Sequence, residues 1–172
     1  MIRSLGSHTG KRVYFGYDRY ATAELDAYLE LLGSHGQVFE MVDAAHLHYL
    51  TSAERTCRAI QADERAFGIL CCGTGMGMSI AANKFTGIYA ARCTSVEDAE
   101  LARTINNSNV LCIAANQGFA KNSLIIEAFA TTAYTGRKLD ELEYITSFEH
   151  VEAPPPAAKP IAKQSRVLRR TA

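Results

Sequence analysis

Apolar residues in this chain form short continuous runs, separated by longer segments in which they recur at helical spacing. Short apolar runs bounded by turn residues are typical of buried strands. The pattern predicts five strands, at residues 12–17, 37–42, 67–72, 87–93 and 109–115. Strands that are apolar throughout, with no polar alternation, are expected in a parallel sheet covered on both faces.

The segments between these runs have the periodicity of amphipathic helices. Apolar residues at positions 25, 28, 29 and 32 predict a first helix, which we expect to end at Gly33. A loop containing His48 and Tyr49 leads to the second helix. The sequence Thr94-Ser-Val-Glu97 resembles a capping box and predicts the start of a helix that reaches residue 104. Further helices are predicted at residues 53–60, 79–84, 119–132 and 138–149.

The alternation of strand and helix predicts an α/β fold with a five-stranded parallel sheet and helices on both faces. Parallel neighbours need right-handed crossovers, which these helices supply. Ligands of open parallel sheets bind at the carboxyl ends of the strands. The first candidate site residues therefore lie at or just after these ends: Asp18, Tyr49, Cys72, Thr94 and Asn116.

Composition excludes several classes of protein. The 172 residues suffice for one domain with a core, and the net charge of zero argues against a nucleic-acid partner. No apolar run approaches the ~20 residues of a membrane span, and the amino terminus lacks the apolar core of a secretory signal. We therefore expect a cytoplasmic protein. Its five cysteines show no CxxC spacing, which predicts reduced thiols and neither disulfides nor a metal site.

The predicted domain occupies residues 11–152, after an amino-terminal extension at residues 1–10. All four prolines lie between positions 154 and 160. The final segment, residues 153–172, contains five basic residues and no acidic ones, which predicts a disordered basic tail. Such a tail is either a solubilising extension or an arm that docks on a neighbouring subunit or an acidic partner.

Residues 68–84, GILCCGTGMGMSIAANK, carry the most chemical information in the chain. Cys72 ends a predicted strand, and a glycine-rich turn and a helix follow it. Backbone N–H groups of such a turn can hold an anion and favour the thiolate form of Cys72. Alternatively, Cys72 is a small apolar core residue and Thr74 a simple helix cap. Nucleotide binding is disfavoured, because the turn lacks the lysine of a phosphate loop and the third glycine of the dinucleotide fingerprint.

The same string, followed by Gly87-Ile and Ala90-Ala91, resembles ribose-5-phosphate isomerase B and the subunits of galactose-6-phosphate isomerase. The resemblance covers residues 11–150 and is strongest between residues 67 and 109. It implies a Rossmann-like three-layer sandwich. It also implies aldose–ketose isomerisation of a sugar phosphate through an enediol, with no metal or cofactor. The family pattern further implies a homodimer or homotetramer.

The resemblance also implies roles for individual residues. Cys72 corresponds to the base that moves the proton between C1 and C2 of the sugar. The backbone N–H groups of the turn would hold the enediolate oxygen, and they belong to Gly73, Thr74, Gly75 and Gly77. Substrate contacts are implied for Asp18, Tyr49 and Asn106.

Several positions depart from the family pattern. Ile105 stands where the family has the histidine that helps to open the sugar ring, and Asn116 replaces an arginine. The family's Asp-His after the first strand is Asp18-Arg19 here, and the arm that grips phosphate reads Gly136-Arg137-Lys138-Leu139. We expect Arg19, Arg137 and Lys138 to supply the remaining positive charge for substrate binding.

These departures leave three interpretations open. The chain is a self-sufficient isomerase with an unusual or short-chain sugar, the cysteine-loop subunit of an enzyme with a paralogous partner subunit, or a non-catalytic sugar-phosphate-binding protein. His48 is a candidate replacement for the missing histidine. Arg92 and Arg103 are candidates for reaching a phosphate; each is otherwise a solvated surface charge.

Overall fold

The protein is described by a computed structural model for residues 2–42, 45 and 47–150. Its sheet has five parallel strands in the order β2-β1-β3-β5-β4. The strands are β1 (Arg12–Tyr17), β2 (Val38–Glu40), β3 (Ala66–Cys72), β4 (Ala90–Arg92) and β5 (Val110–Ala114). The predicted parallel α/β architecture is therefore confirmed. The predicted basic tail lies outside the described residues.

Six α-helices connect and cover the described strands. They are α1 (Leu25–His35), α2 (Tyr49–Gln61), α3 (Met76–Ala82), α4 (Val96–Thr104), α5 (Phe119–Thr131) and α6 (Leu139–Ser147). No helix within the described ranges is long and apolar enough to cross a membrane.

The core has two apolar clusters, one on each face of the sheet. Helices α1, α4 and α5 pack on one face, against side chains such as Phe15, Ile69 and Ile113. Helices α2 and α3 pack on the other, against Leu70 and Cys112. Strands β3 and β5 are buried along their whole length, which explains their uninterrupted apolar sequences.

The prediction that α1 ends at Gly33 is wrong, because the helix continues to His35. Gly33 lies within the helix, and no atom lies within 4 Å of the position of an added Cβ. Its only cost is the ~1 kcal/mol by which glycine is less favourable than alanine in a helix. Burial of Tyr28 and Leu32 outweighs it. The chain turns instead at Gly36, where a Cβ would overlap the carbonyl group of Lys11.

Other boundaries also differ from the prediction. The cap of α4 is one residue later than expected, since Ser95 Oγ accepts from the Asp98 backbone N–H at 3.1 Å. Thr94 instead donates its hydroxyl to the Asp98 carboxylate at 2.8 Å. Tyr49 is the first residue of α2 and not part of the loop. Helix α3 begins at Met76, three residues earlier than predicted, and the strands at 37–42 and 87–93 are shorter.

Candidate active site

A cavity of about 280 Å³ opens at the carboxyl ends of β1, β3 and β5. Four of the five residues expected from the strand ends line it. Only Thr94 does not, and its hydroxyl donates to the Asp98 carboxylate on α4 instead. The lining residues are Asp18, Tyr20, Tyr49, Cys72, Gly73, Thr74, Gly77 and Asn116. The fold thus gathers polar groups from three strands around one thiol.

Cys72 is the last residue of β3, is 4% exposed and lines this cavity. Because side chains alternate along a strand, Cys71 points to the opposite face, where it joins the other apolar cluster. Burial there raises the pKa of the Cys71 thiol to about 12. Only the second cysteine of the pair therefore lines the cavity, and Cys71 is a buried core residue.

The glycine-rich turn depends on glycine at two positions. Gly75 has a φ of +73°, and a Cβ there would lie 3.1 Å from the backbone carbonyl group of Ile113 on β5. A Cβ on Gly77 would lie 2.8 Å from the ring of Tyr49. Glycine is needed because the turn passes close to β5 on one side and to an aromatic ring of the cavity on the other.

Two neighbouring strands fix the backbone of this turn. The Gly73 carbonyl accepts from the backbone N–H of Asn116, which follows β5, at 3.2 Å. The next carbonyl, that of Thr74, accepts from Nε of Arg92 on β4 at 2.8 Å. The Thr74 hydroxyl accepts from the backbone N–H of Met76, the first residue of α3, at 3.4 Å. Arg92 is half-buried and lies beside the turn, where the sequence had left its role open.

Asp18 links the end of β1 to the glycine-rich turn that follows Cys72, called the cysteine turn below. Its side chain accepts from the backbone N–H of Tyr20 at 2.9 Å, and its carboxylate also interacts with the backbone N–H of Gly73. The residue is only 6% exposed. Burial raises the pKa of this carboxyl above its usual value, although both N–H groups and the neighbouring Arg19 oppose the shift. Asp18 is therefore a buried acceptor that faces the same cavity as the thiol.

Sequence reasoning missed Tyr20, which lines the cavity. Its ring lies next to Gly73, where a Cβ would be 3.3 Å from a ring carbon. The guanidinium of Arg19 is 5.2 Å from the centre of the same ring. The signal in the sequence was an aromatic residue two positions after Asp18, in the loop that follows a strand end.

Arg19 and Gly75 adjoin residues that line this cavity but do not line it themselves, and three further predicted substrate-binding residues lie outside it. Asn106 is exposed and lines a separate cavity of about 250 Å³ with Asn83 and Tyr89. Arg137 and Lys138 are exposed on the turn before α6, and Lys138 pairs with Glu141 at 3.0 Å. One copy of the chain therefore does not bring these three residues to Cys72.

Two further candidates, Arg103 and His48, do not line the cavity either. Arg103 is 1% exposed, and its guanidinium donates to Asn107, to the Ser108 carbonyl and to the Gly6 carbonyl. The expectation that Arg103 is a surface charge or a phosphate ligand is therefore wrong. His48 is exposed and accepts a hydrogen bond at the start of α2. Within the described residues, no cluster of three or more His, Cys, Asp or Glu side chains could hold a metal ion.

Comparison with known proteins identifies the class. A sequence model of the Ribose/Galactose Isomerase family matches residues 14–145. The 4-deoxy-4-sulfo-D-erythrose isomerase of Clostridium sp. (strain MSTE9) is 38% identical over 122 residues, covering 65% of this chain and 72% of that protein. The DNA damage-repair/toleration protein DRT102 of Arabidopsis thaliana is 34% identical over 126 residues, which are 72% of this chain but only 40% of that protein.

Solved structures agree with the sequence comparison. The type B ribose 5-phosphate isomerase of Leishmania infantum superposes with a TM-score of 0.74 at 36% identity, over 82% of this chain and 97% of that one. This protein belongs to the ribose/galactose isomerase family. It is an aldose–ketose isomerase, and its Rossmann-like fold is that of the family.

Proposed function

We propose that this isomerase interconverts an aldose phosphate and a ketose phosphate of the ribose-5-phosphate type, with Cys72 as the base. The observation that carries the proposal is the cavity that collects Cys72, Asp18 and the glycine-rich turn. Relatives named as ribose 5-phosphate isomerases support the choice of substrate. The reaction needs neither metal nor cofactor, and the cytoplasm is its expected location.

The chemistry is a proton transfer between neighbouring carbons. The Cys72 thiolate takes the proton from C2 of the open-chain aldose, and the C1 carbonyl becomes the oxyanion of an enediolate. Cys72 then delivers this proton, or a solvent proton that has exchanged with it, to C1. The C2 hydroxyl proton passes to the C1 oxyanion, which leaves a ketone at C2 and a hydroxyl at C1. N–H groups at Thr74, Gly75 and Gly77 stabilise the oxyanion, a contribution of about 3–4 kcal/mol for one good donor. The N–H of Gly73, which also lies beside the Asp18 carboxylate, belongs to the same set.

Asp18 and Tyr49 then bind the sugar hydroxyls. Both line the cavity, and the buried carboxyl of Asp18 is fixed by the Tyr20 backbone N–H at 2.9 Å. A buried acceptor selects a hydroxyl donor, because an unpaired acceptor is costly. Arg19 supplies positive charge beside Tyr20, whose ring lines the cavity.

A second subunit completes the site. Asn106, Arg137 and Lys138 lie outside the cavity of their own chain, so they serve the site of a neighbour in a homodimer or homotetramer. Exposed apolar side chains beside the cysteine turn support this assembly: Met76 is 54% and Ile80 66% exposed on α3. A paralogous partner subunit would satisfy the same geometry.

A four-carbon sugar is the second candidate substrate. Ile105 stands where the family has its ring-opening histidine, and its half-buried hydrocarbon side chain cannot transfer a proton. A tetrose whose C4 carries the anionic group has no hydroxyl available to close a five-membered ring, so it needs no ring-opening acid. A relative at 38% identity is named as an isomerase of 4-deoxy-4-sulfo-D-erythrose, a sugar of this kind.

The test follows exchange of the transferred proton. The purified chain is incubated in D₂O with tetrose, pentose and hexose phosphates, and NMR detects deuterium at C1 or C2. We expect exchange with at least one of these sugars and a loss of about 10²–10⁴-fold in Cys72→Ser. Cys71→Ala is the control, since it removes the adjacent thiol that lies on the other face of β3.

Mixing two impaired variants tests the shared site. Cys72→Ser and Arg137→Ala damage different subunits of the same site, so at a substrate concentration well below KM their mixture should show more activity than the sum of the two alone. Exchange that persists in Cys72→Ser would contradict the role of the thiol. An absence of exchange with every sugar phosphate would contradict a self-sufficient enzyme. Failure of the mixture to recover activity would place Arg137 outside the shared site.

A further inference from the structure

The first residues of the chain, which the sequence predicted as an extension, are held against the domain. This N-terminal arm, residues 2–10, makes backbone hydrogen bonds with the end of α5 and the segment after it. Gly6 and Tyr134 form an antiparallel bridge with N···O distances of 2.8 and 3.0 Å. The His8 backbone N–H donates to the Ala130 carbonyl at 2.8 Å.

A buried arginine anchors the other side of this arm. Arg103 Nη2 donates to the Gly6 carbonyl at 3.1 Å, while its Nη1 donates to Asn107 Oδ1 at 2.9 Å. Asn107 in turn donates to the carbonyls of Ile2 and Ser4, at 2.6 and 3.1 Å. Arg103 is 1% exposed, and both of its Nη atoms donate to oxygens of this region, whereas its Nε has no partner among the described residues. A buried arginine held by carbonyl groups serves to fix the backbone that carries them.

The partner of Gly6 in the bridge, Tyr134, leads directly to the turn that carries Arg137 and Lys138, called the basic turn below. Tyr134 is 1% exposed, and its hydroxyl donates to the Arg137 carbonyl at 2.9 Å. Two residues of this turn have a left-handed backbone. One is Gly136, with a φ of +91°, and the other is Lys138, an ordinary residue with a φ of +58°. A left-handed conformation costs an ordinary residue roughly 1–2 kcal/mol, so neighbouring contacts must hold it in place.

Two side chains of the arm reach the same region. Arg3 pairs with Glu143 on α6 at 2.7 Å, and a Cβ on Gly136 would lie 3.7 Å from Leu5 Cδ2. The exposed ion pair adds little energy by itself. The arm therefore contacts the basic turn from its start at Tyr134 to the helix that follows it.

We propose that the N-terminal arm positions Arg137 for the anionic group of the substrate, through the chain of contacts Arg103–Gly6–Tyr134–Arg137. Arg103 and Tyr134 are positioning residues in this scheme, since neither lines the cavity of Cys72. The inference rests on the proposed function, in which Arg137 binds the phosphate at a neighbour's site. Fixing the backbone in advance reduces the entropy lost when a flexible arginine binds an anion.

Tyr134→Phe is the sharpest test, because it removes one hydroxyl and keeps the buried ring. We expect the inhibition constant of inorganic phosphate and the KM for the sugar phosphate to rise about 2–10-fold, as loss of one hydrogen bond predicts. The value of kcat should stay unchanged, because the proton-transfer residues are untouched. Tyr14→Phe is the matched control, since the Tyr14 hydroxyl donates to Asp63 and belongs neither to the arm nor to the basic turn.

A second variant tests the arm itself. A chain that lacks residues 1–7 loses the Gly6 bridge and should show the same rise in KM and in the phosphate inhibition constant, with kcat retained. Circular dichroism and thermal unfolding establish that each variant is folded before its kinetics are compared. In an Arg137→Ala background, Tyr134→Phe should have no further effect on KM, because the hydroxyl acts through that arginine.

The outcomes separate the inference from the function beneath it. If Arg137→Ala leaves KM unchanged, the proposed phosphate role of Arg137 is wrong and the inference falls with it. If Arg137→Ala raises KM but Tyr134→Phe does not, only the positioning role is overturned. A fall in kcat with unchanged KM in Tyr134→Phe would also overturn it, because that pattern indicates a general loss of active structure.

Discussion

Replacement of Gly75 by alanine tests how the cysteine turn is built. The backbone at φ +73° costs an alanine roughly 1–2 kcal/mol. The new Cβ also lies 3.1 Å from the carbonyl group of Ile113. This residue belongs to β5, which is paired on both edges and cannot retreat without disturbing the sheet. Overpacking of this kind adds typically about 1–3 kcal/mol. The free energy of unfolding should therefore fall by about 2–5 kcal/mol, the sum of the two effects.

The chain provides a control that isolates the contact. Gly87 has nearly the same φ, +75°, but no atom lies within 4 Å of the position that an alanine methyl group would take there. Gly87→Ala should lose only the conformational contribution of roughly 1–2 kcal/mol and keep full activity. In Gly75→Ala, a turn displaced from β5 also misplaces oxyanion donors, so kcat should fall by about 10²-fold or more.

Urea unfolding followed by circular dichroism gives the two free energies, and the isomerase assay gives kcat. Equal loss of stability in Gly75→Ala and Gly87→Ala would show that the contact with Ile113 has no energetic consequence. Wild-type kcat in Gly75→Ala would show that the chemistry does not depend on the geometry of this turn. Either result would refute the reasoning from backbone geometry.

Two further predictions concern other parts of the molecule. Burial is the main cause that holds the pKa of His8 well below its usual value, and the nearby charge of Arg103 is the second. The folded protein therefore keeps His8 neutral, while the unfolded chain protonates it near pH 6.5. Stability should therefore fall as pH drops below about 6.5, by at most ~1.4 kcal/mol per unit, and pH-dependent urea unfolding of His8→Asn should lack this contribution. Arg92→Leu removes the donor to the Thr74 carbonyl and should lower kcat about tenfold, the effect of ~1.4 kcal/mol. Arg58→Leu is the control, because it removes an exposed charge from α2 and should leave kcat unchanged. Equal kcat in the two variants would contradict a role for Arg92.

The hydrophobic pattern was sufficient to predict the architecture. Strands β3 and β5 are buried on both faces, so their sequences are apolar throughout and can be recognised without any tertiary information. The strand-end rule then located Asp18, Cys72 and Asn116 at one edge, because parallel strands place their carboxyl ends together. Short edge strands were overestimated, since β2 and β4 pair over only three residues each.

Local propensity failed where a distant contact decided the outcome. Gly33 reads as a helix end, but the helix continues because Tyr28 and Leu32 are buried, and the turn falls at Gly36 against the Lys11 carbonyl. Arg103 reads as a surface charge or a phosphate ligand, yet it is buried and its Nη2 donates to the carbonyl of Gly6, 97 residues away. No local pattern reports a partner that far along the chain.

The sequence by itself therefore determined the order of strands and helices, the cysteine turn and the family to which the chain belongs. These properties depend on periodicity and on a contiguous motif, both of which are written within a few neighbouring residues. Only the tertiary structure decided that Tyr20 lines the cavity, that Arg92 holds the Thr74 carbonyl and that the N-terminal arm bridges to Tyr134. Each depends on a contact between distant segments, and such contacts exist only after the sheet has formed.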